Sequence, residues 1–192
     1  MKRLLLTLFF FGTLTLTAQK NCVYETNISD SIGTLKTTEK YLVNEMVFGN
    51  TTKYVFLSLM NVSGYPMLNF QTITKTKDFQ KVSCFDKNSR IYFQLTNGKI
   101  YTLIAAEENN NCGTIIPDES KQYNINLLTS NFLFMKADLE DLKKYPVVLM
   151  RVRYGADNTV DYIFNKELKS DTIKGNYAPE TYFINYFKCI EE

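Results

Sequence analysis

The sequence predicts a mainly β, α+β domain: an antiparallel β-sandwich or flattened barrel with a short helix near 138–145 and a C-terminal helix near 179–190. Three observations predict it. Short runs of β-branched and aromatic residues recur at fairly even spacing, bounded by Gly, Pro and Asn turns. One Asn-Gly dipeptide, Asn97-Gly98, sits between two such runs and signals a hairpin. Only two segments carry helix-start signals together with helical spacing. The 192 residues, 45% of them hydrophobic, are enough for one domain with a buried core.

The first 18 residues read as a secretory signal. Lys2 and Arg3 supply the positive start, residues 4–16 are apolar apart from Thr and Gly, and Thr17-Ala18 precedes a cleavage point at Gln19. The apolar run is shorter than the ~20 residues of a spanning helix, and no later stretch is long enough. Residues 19–192 are therefore expected to form a single exported β-rich domain, periplasmic or extracellular, with no membrane span once the signal is removed.

The strands follow in order. Residues 39–48 form one, ending at Gly49-Asn50. Residues 53–62 are apolar on both sides at Val55, Phe56, Leu57 and Leu59, as a central strand should be. Gly64-Tyr65-Pro66 turns the chain into a strand over 67–76. Residues 90–96 and 99–105 flank Asn97-Gly98. A two-residue type I′ turn there pairs Leu95 with Ile100, Phe93 with Thr102 and Ile91 with Ile104 on the core face. That register leaves Tyr92 and Tyr101 diagonally adjacent on the other face. Residues 122–128 make a shorter strand. Residues 147–154 and 159–164 form a second hairpin around a Gly-Ala-Asp-Asn turn, with Arg151 and Arg153 on one face.

Asp138 is placed to cap the first helix, with Asp141 in the capping-box position, Leu139 and Leu142 facing inward, and Pro146 as the stop. Pro179-Glu180 opens the second, and Phe183, Tyr186, Phe187 and Ile190 then share one helical face. A strand over 182–190 is the competing reading, because these residues also have high β propensity.

Four cysteines in an exported chain predict disulfides, with three possible pairings. The first hairpin puts Cys84 and Cys112 just beyond its paired strands, so a bond between them closes its base. Elimination then pairs Cys22 with Cys189, tying the mature N-terminus to the C-terminus. No C-x-x-C pair is present, so neither a thioredoxin-type site nor a zinc knuckle is expected.

Composition excludes much chemistry. The chain has no His and no Trp. Ser-His-Asp and Cys-His catalysis, HExxH zinc chemistry and His-ligated haem are thereby ruled out. The 22 basic and 20 acidic residues come into balance once Lys2 and Arg3 leave with the signal. A neutral surface has no electrostatic footprint for nucleic acid. Asp138, Glu140 and Asp141 cluster, but acids in a first helical turn are accounted for by the helix dipole. Asp157, Asn158 and Asp161 are the best local group for a calcium ion, although Asp and Asn are also ordinary turn formers. There is no G-x-G-x-x-G and no P-loop, and the sequence calls for no cofactor. The aromatic content, 13 Tyr and 14 Phe, makes Tyr92 and Tyr101 the candidate binding residues.

Residues 53–192 resemble a class of small exported, β-rich bacterial proteins. The resemblance is carried by 90–103 with its Asn97-Gly98 turn, by Cys112-Gly113, by 138–146 running into 147–153, and by 182–190. It implies a β-rich exported domain and transfers no active site. The first functional expectation is a non-catalytic exported domain that binds a protein or cell-surface component through a sheet face. The alternative is a carrier holding a small apolar ligand between sheets. The third is a His-independent hydrolase.

Overall fold

The computed structural model describes residues 21–78, 82–107, 110–118, 123–136, 138–155 and 158–191. The expected signal over 1–18 and the turn residue Asp157 lie outside them. Among the described residues there are thirteen strands: β1 (Tyr24–Ser29), β2 (Thr34–Thr38), β3 (Tyr41–Phe48), β4 (Thr51–Val62), β5 (Tyr65–Thr76), β6 (Arg90–Leu95), β7 (Ile100–Ala105), β8 (Thr114–Asp118), β9 (Tyr123–Phe134), β10 (Val147–Arg153), β11 (Thr159–Ile163), β12 (Leu168–Ser170) and β13 (Gly175–Tyr177).

Eleven of them form one antiparallel sheet in the order β1-β2-β4-β5-β9-β7-β6-β10-β11; β3 pairs with β4 and β8 with β9, while β12 and β13 make a separate ribbon. The path has two ends, so the sheet does not close into a barrel. It is sandwich-like instead. Lys53 of β4 lies 5.3 Å from the ring centre of Tyr162 on β11, although β5, β9, β7, β6 and β10 intervene in the order. Only a sheet curled onto itself makes that contact. Its inner face supplies one core, with Leu57, Phe70 and Phe132 from one half and Phe93, Met150 and Val152 from the other.

The three central strands, β4, β5 and β9, are each twelve residues long. β4 and β5 pair over all twelve residues, but along the outer edges of β4 and β9 each partner strand is shorter. Along one edge of β4, β3 covers the first part and β2 the last. Along one edge of β9, β8 covers the first part and β7 the last.

The C-terminal helical segment is present as a 3-10 turn (Pro179–Thr181), a short helix α1 (Tyr182–Tyr186) and a second 3-10 turn (Phe187–Ile190). Phe183 packs edge-on to Phe93 at 4.9 Å, so the segment seals the core. The 138–145 segment is not a regular helix. Leu142, Lys143 and Lys144 donate to carbonyls three residues back, and only Tyr145 reaches four back. Its Asp138 cap does form, accepting the Glu140 N–H at 3.0 Å, and Leu139 and Leu142 are buried as expected. Pro146 follows too soon for a further turn.

Two turns exchange roles. Ser63 and Gly64, both at positive φ, make the two-residue turn between β4 and β5, where Val62 pairs with Tyr65. The Asn97-Gly98 turn is a three-residue loop instead. The Leu95 carbonyl accepts the Gly98 N–H, Gly98 is left-handed, and Leu95 accepts no pairing with Ile100. Gln94 pairs with Ile100, Phe93 with Tyr101 and Ile91 with Leu103. This one-residue slip turns the faces of β7 over. Ile91, Phe93 and Leu95 are buried as expected, but Tyr101 and Leu103 join them, while Ile100 is 51% exposed.

Both disulfides have the expected connectivity, Cys22–Cys189 and Cys84–Cys112. Two such bonds belong to an oxidising environment. Among the described residues no helix is long and apolar enough to cross a membrane. Next to Cys112, Gly113 has φ +74°, and a Cβ there would stand 2.4 Å from the Leu127 carbonyl oxygen. Backbone cannot retreat as a flexible side chain can. Gly113→Ala is expected to cost about 2 kcal/mol or more, from left-handed strain plus that clash. Thermal unfolding reads this as a fall of several degrees; an unchanged midpoint would show that the 111–114 corner relaxes freely.

Candidate functional site

One hollow lies where the long central strands run past the layer folded over them. In antiparallel strands, side chains opposite one another share a face and stand about 5 Å apart. Three successive rows therefore build its floor. The first is Thr72 and Leu128; the second is Lys53, Thr74, Asn126 and Ile115; the third is Thr76 and Asn124. Tyr154, at the end of β10, forms the opposing wall, with Val82, Ser83 and Asp78 at the sides. The hollow encloses about 260 Å³.

Its chemistry is mixed. The Lys53 ammonium lies 5.9 Å and 5.3 Å from the ring centres of Tyr154 and Tyr162. The quadrupole of those faces favours a cation. Burial pushes the Tyr154 phenol well above its ordinary value, so it stays a neutral hydroxyl, 3.2 Å from the Tyr162 hydroxyl. Among the described residues no carboxylate pairs with Lys53. Thr51 and Thr76 share a hydrogen bond between their hydroxyls at 2.8 Å, and the Asp78 N–H donates to Thr76 Oγ1 at 3.1 Å. Among the described residues the Asn126 side-chain nitrogen is buried without a hydrogen-bond partner, and a buried donor without an acceptor is costly.

Apolar residues flank this end of the sheet. Val47 and Phe48, at the tip of β3, are 68% and 81% exposed, and Ile115 and Ile116 of β8 are exposed on the far side. Among the described residues, the C-terminal half of β3 has no strand partner beyond β4, and neither has β8 beyond β9.

The residues singled out from sequence do not lie here. Tyr92 and Tyr101 are on opposite faces of their hairpin and make no common patch, because the three-residue loop shifts β7 by one residue. Tyr92 stands on the outer face in a row with Thr102, Arg151 and Asp161. Tyr101 is buried, its hydroxyl donating to Asp141 Oδ2 at 3.4 Å and its ring 5.2 Å below Lys136 Nζ. Lys99 pairs with the same carboxylate and holds it below the usual carboxylate range.

Of the calcium group, Asp157 lies outside the described residues, and the other two members are engaged elsewhere. Asp161 accepts two hydrogen bonds from Arg151, each 2.7 Å, which lower its carboxyl from the ordinary value. The Asn158 amide donates to Ser83 Oγ at 3.3 Å. Among the described residues no three His, Cys, Asp or Glu side chains converge as metal ligands.

Sequence reasoning missed the hollow, yet a signal existed. Thr72, Thr74 and Thr76 recur with period two on one strand, and Asn124 and Asn126 do so on another. Alternate polar residues on two central strands mark one continuous polar face. No protein-family model, no curated protein and no solved structure matches the chain.

Proposed function

We propose that this protein is an exported, non-catalytic binding domain that engages a protein or cell-surface component through the open end of its sheet. The observation that supports this best is the polar hollow on the overhanging inner face, with exposed Ile115 in its lining and exposed Phe48 on the same face, and exposed Val47 and Ile116 beside them on the outer face of the same end. A concave site with a few convergent polar groups and apolar borders is the usual form of a binding site. Two disulfides hold the scaffold rigid, which suits export to the periplasm or beyond and lowers the ordering cost of binding. An apolar carrier is less well supported, because Phe70, Phe85, Phe93 and Phe132 occupy the space between the layers.

The test is retention of the exported protein on its own producing cells. A Val47→Thr, Phe48→Ser double variant changes two exposed side chains, so its thermal midpoint should stay within a few degrees of the wild type. Retention is expected to fall about tenfold, the effect of losing ~1.4 kcal/mol of contact. Unchanged retention at wild-type stability would remove the open end as the contact surface.

A further inference from the structure

We propose that the hollow binds a single-sugar-sized, polyhydroxylated ligand carrying one carboxylate, the chemistry of an acidic sugar unit. This rests on reading the open end of the sheet as a binding surface, and it names what the hollow itself takes.

Three features select that class. Lys53, Thr74 and Asn126 are direct cross-strand neighbours in one row and line the hollow together. The Lys53 ammonium has donors to offer and no carboxylate partner among the described residues; the phenol rings beneath it compensate its charge, not its hydrogen bonds. Among the described residues the Asn126 amide nitrogen is a buried donor with no acceptor, and rotation of the amide about χ2 turns it into the hollow that Asn126 lines. Two unfilled donors at either side of a hydroxyl want an acceptor with two oxygens. A carboxylate supplies both, and its charge strengthens the bonds in a partly dry setting.

The remaining lining asks for hydroxyls. Thr72, Thr74 and Thr76 offer groups that both donate and accept, and Asn124 does the same through its amide. Apolar Leu128 and Ile115 border them and suit the C–H faces of a sugar ring. Asp78, at the side, accepts hydroxyl hydrogens and opposes a second negative charge, so the ligand is a monoanion rather than a polyanion. At about 260 Å³ the hollow lies just below the ~300–1,000 Å³ of pockets for drug-sized ligands, which limits it to a single ring.

Isothermal titration of the disulfide-bonded protein with D-glucuronate, D-glucose and acetate tests the proposal. Glucuronate is expected to bind in the millimolar range, with glucose and acetate each at least about tenfold weaker. Lys53→Met, which keeps the stem and removes the charge, should bring glucuronate down to the level of glucose while leaving glucose unchanged. Asn126→Asp places an acceptor where a donor is needed and should abolish glucuronate binding. Thr74→Val removes the hydroxyl at constant shape and should weaken both sugars. Near-ultraviolet circular dichroism confirms that each variant is folded.

Equal binding of glucuronate and glucose, or no change in Lys53→Met, overturns the proposal. So does the absence of binding by all three compounds. If nothing binds while the Val47, Phe48 variant still loses retention, the ligand class fails and the open-end reading stands. If glucuronate binds while retention is unaffected by that variant, the hollow stands and the cell-surface reading fails.

Discussion

Replacing Cys22 and Cys189 together by serine is expected to lower the unfolding free energy by about 5 kcal/mol, from the loop-closure entropy of a bond with a sequence separation of 167. The bond closes nearly the whole described chain, so the unfolded ensemble gains more freedom from its loss than from any other single change. The native contacts around it are specific but few. Tyr24 donates its hydroxyl to the Cys189 carbonyl at 2.9 Å, and the Asn61 amide donates to the Ile190 carbonyl at 2.7 Å. They position the last helical turn against β1 and β4 without replacing the covalent link. The matched double variant Cys84→Ser, Cys112→Ser opens a loop with a separation of 28 and should lose less, about 3.5 kcal/mol on the same model. Urea unfolding followed by tyrosine fluorescence, on oxidised proteins, checks both values. A larger loss from the shorter loop would mean that local strain or residual unfolded-state structure, not chain entropy, sets the stabilisation.

Phe85→Ala is expected to cost about 4 kcal/mol, within the 3–5 kcal/mol of buried aromatic truncations. Phe85 belongs to no strand, yet it is 1% exposed. Its ring stacks on Tyr154 at 4.8 Å and meets Phe70 and Phe132 edge-on at 5.6 Å and 5.1 Å. It thus plugs the space between the two halves of the curled sheet, behind the wall of the hollow. Its surroundings resist collapse. The neighbouring Cys84 is bonded to Cys112, and Phe85 and Asn111 exchange backbone hydrogen bonds of 2.7 Å and 2.8 Å. A cavity that cannot close retains its full cost. Phe85→Leu leaves most of the volume and should lose about 1–2 kcal/mol. Urea midpoints with unchanged slopes would establish both numbers. A loss below about 1 kcal/mol for Phe85→Ala would show that the 82–86 loop moves in to fill the gap. In that event the Tyr154 wall would shift, and glucuronate binding would weaken with it.

The strands most legible in the sequence were those whose signal is local. The central strand over 53–62 declares itself by residues that are apolar on both faces, and β4 is indeed paired on both edges. The β10–β11 hairpin follows from its alternation and its Gly-Ala-Asp-Asn turn sequence. The first two strands were not read, because Tyr24–Ser29 and Thr34–Thr38 are largely polar and at the sheet margin. The edge strand β1 needs no apolar stripe, and β2, though paired on both sides, has Leu35 as its one apolar residue, so periodicity is silent about both.

Register is where local reasoning failed, and β7 shows why. Ile100, Leu103 and Ile104 put apolar groups on both of its faces. Either register buries something apolar, so the pattern does not choose. The choice is made by contacts from elsewhere in the chain. Pro146 accepts the Thr96 N–H at 2.9 Å, Asp141 pairs with Lys99, and Phe134 of β9 sits opposite Leu103. That outcome buries Tyr101 and dissolves the expected tyrosine patch.

By itself, then, the sequence determined the β-rich class, the presence of disulfides, the terminal helical cap and the chemistries that a chain without His lacks. Each depends on composition or on spacing along a single stretch, where the physics is short-ranged. Only the tertiary structure decided the curl of the sheet, the register of β7 and the overhang that makes the hollow. Those depend on which strands are longer than their partners and on which distant side chains meet. Lys53 and Tyr154 come from opposite halves of the chain, and no local pattern announces that one will face the other.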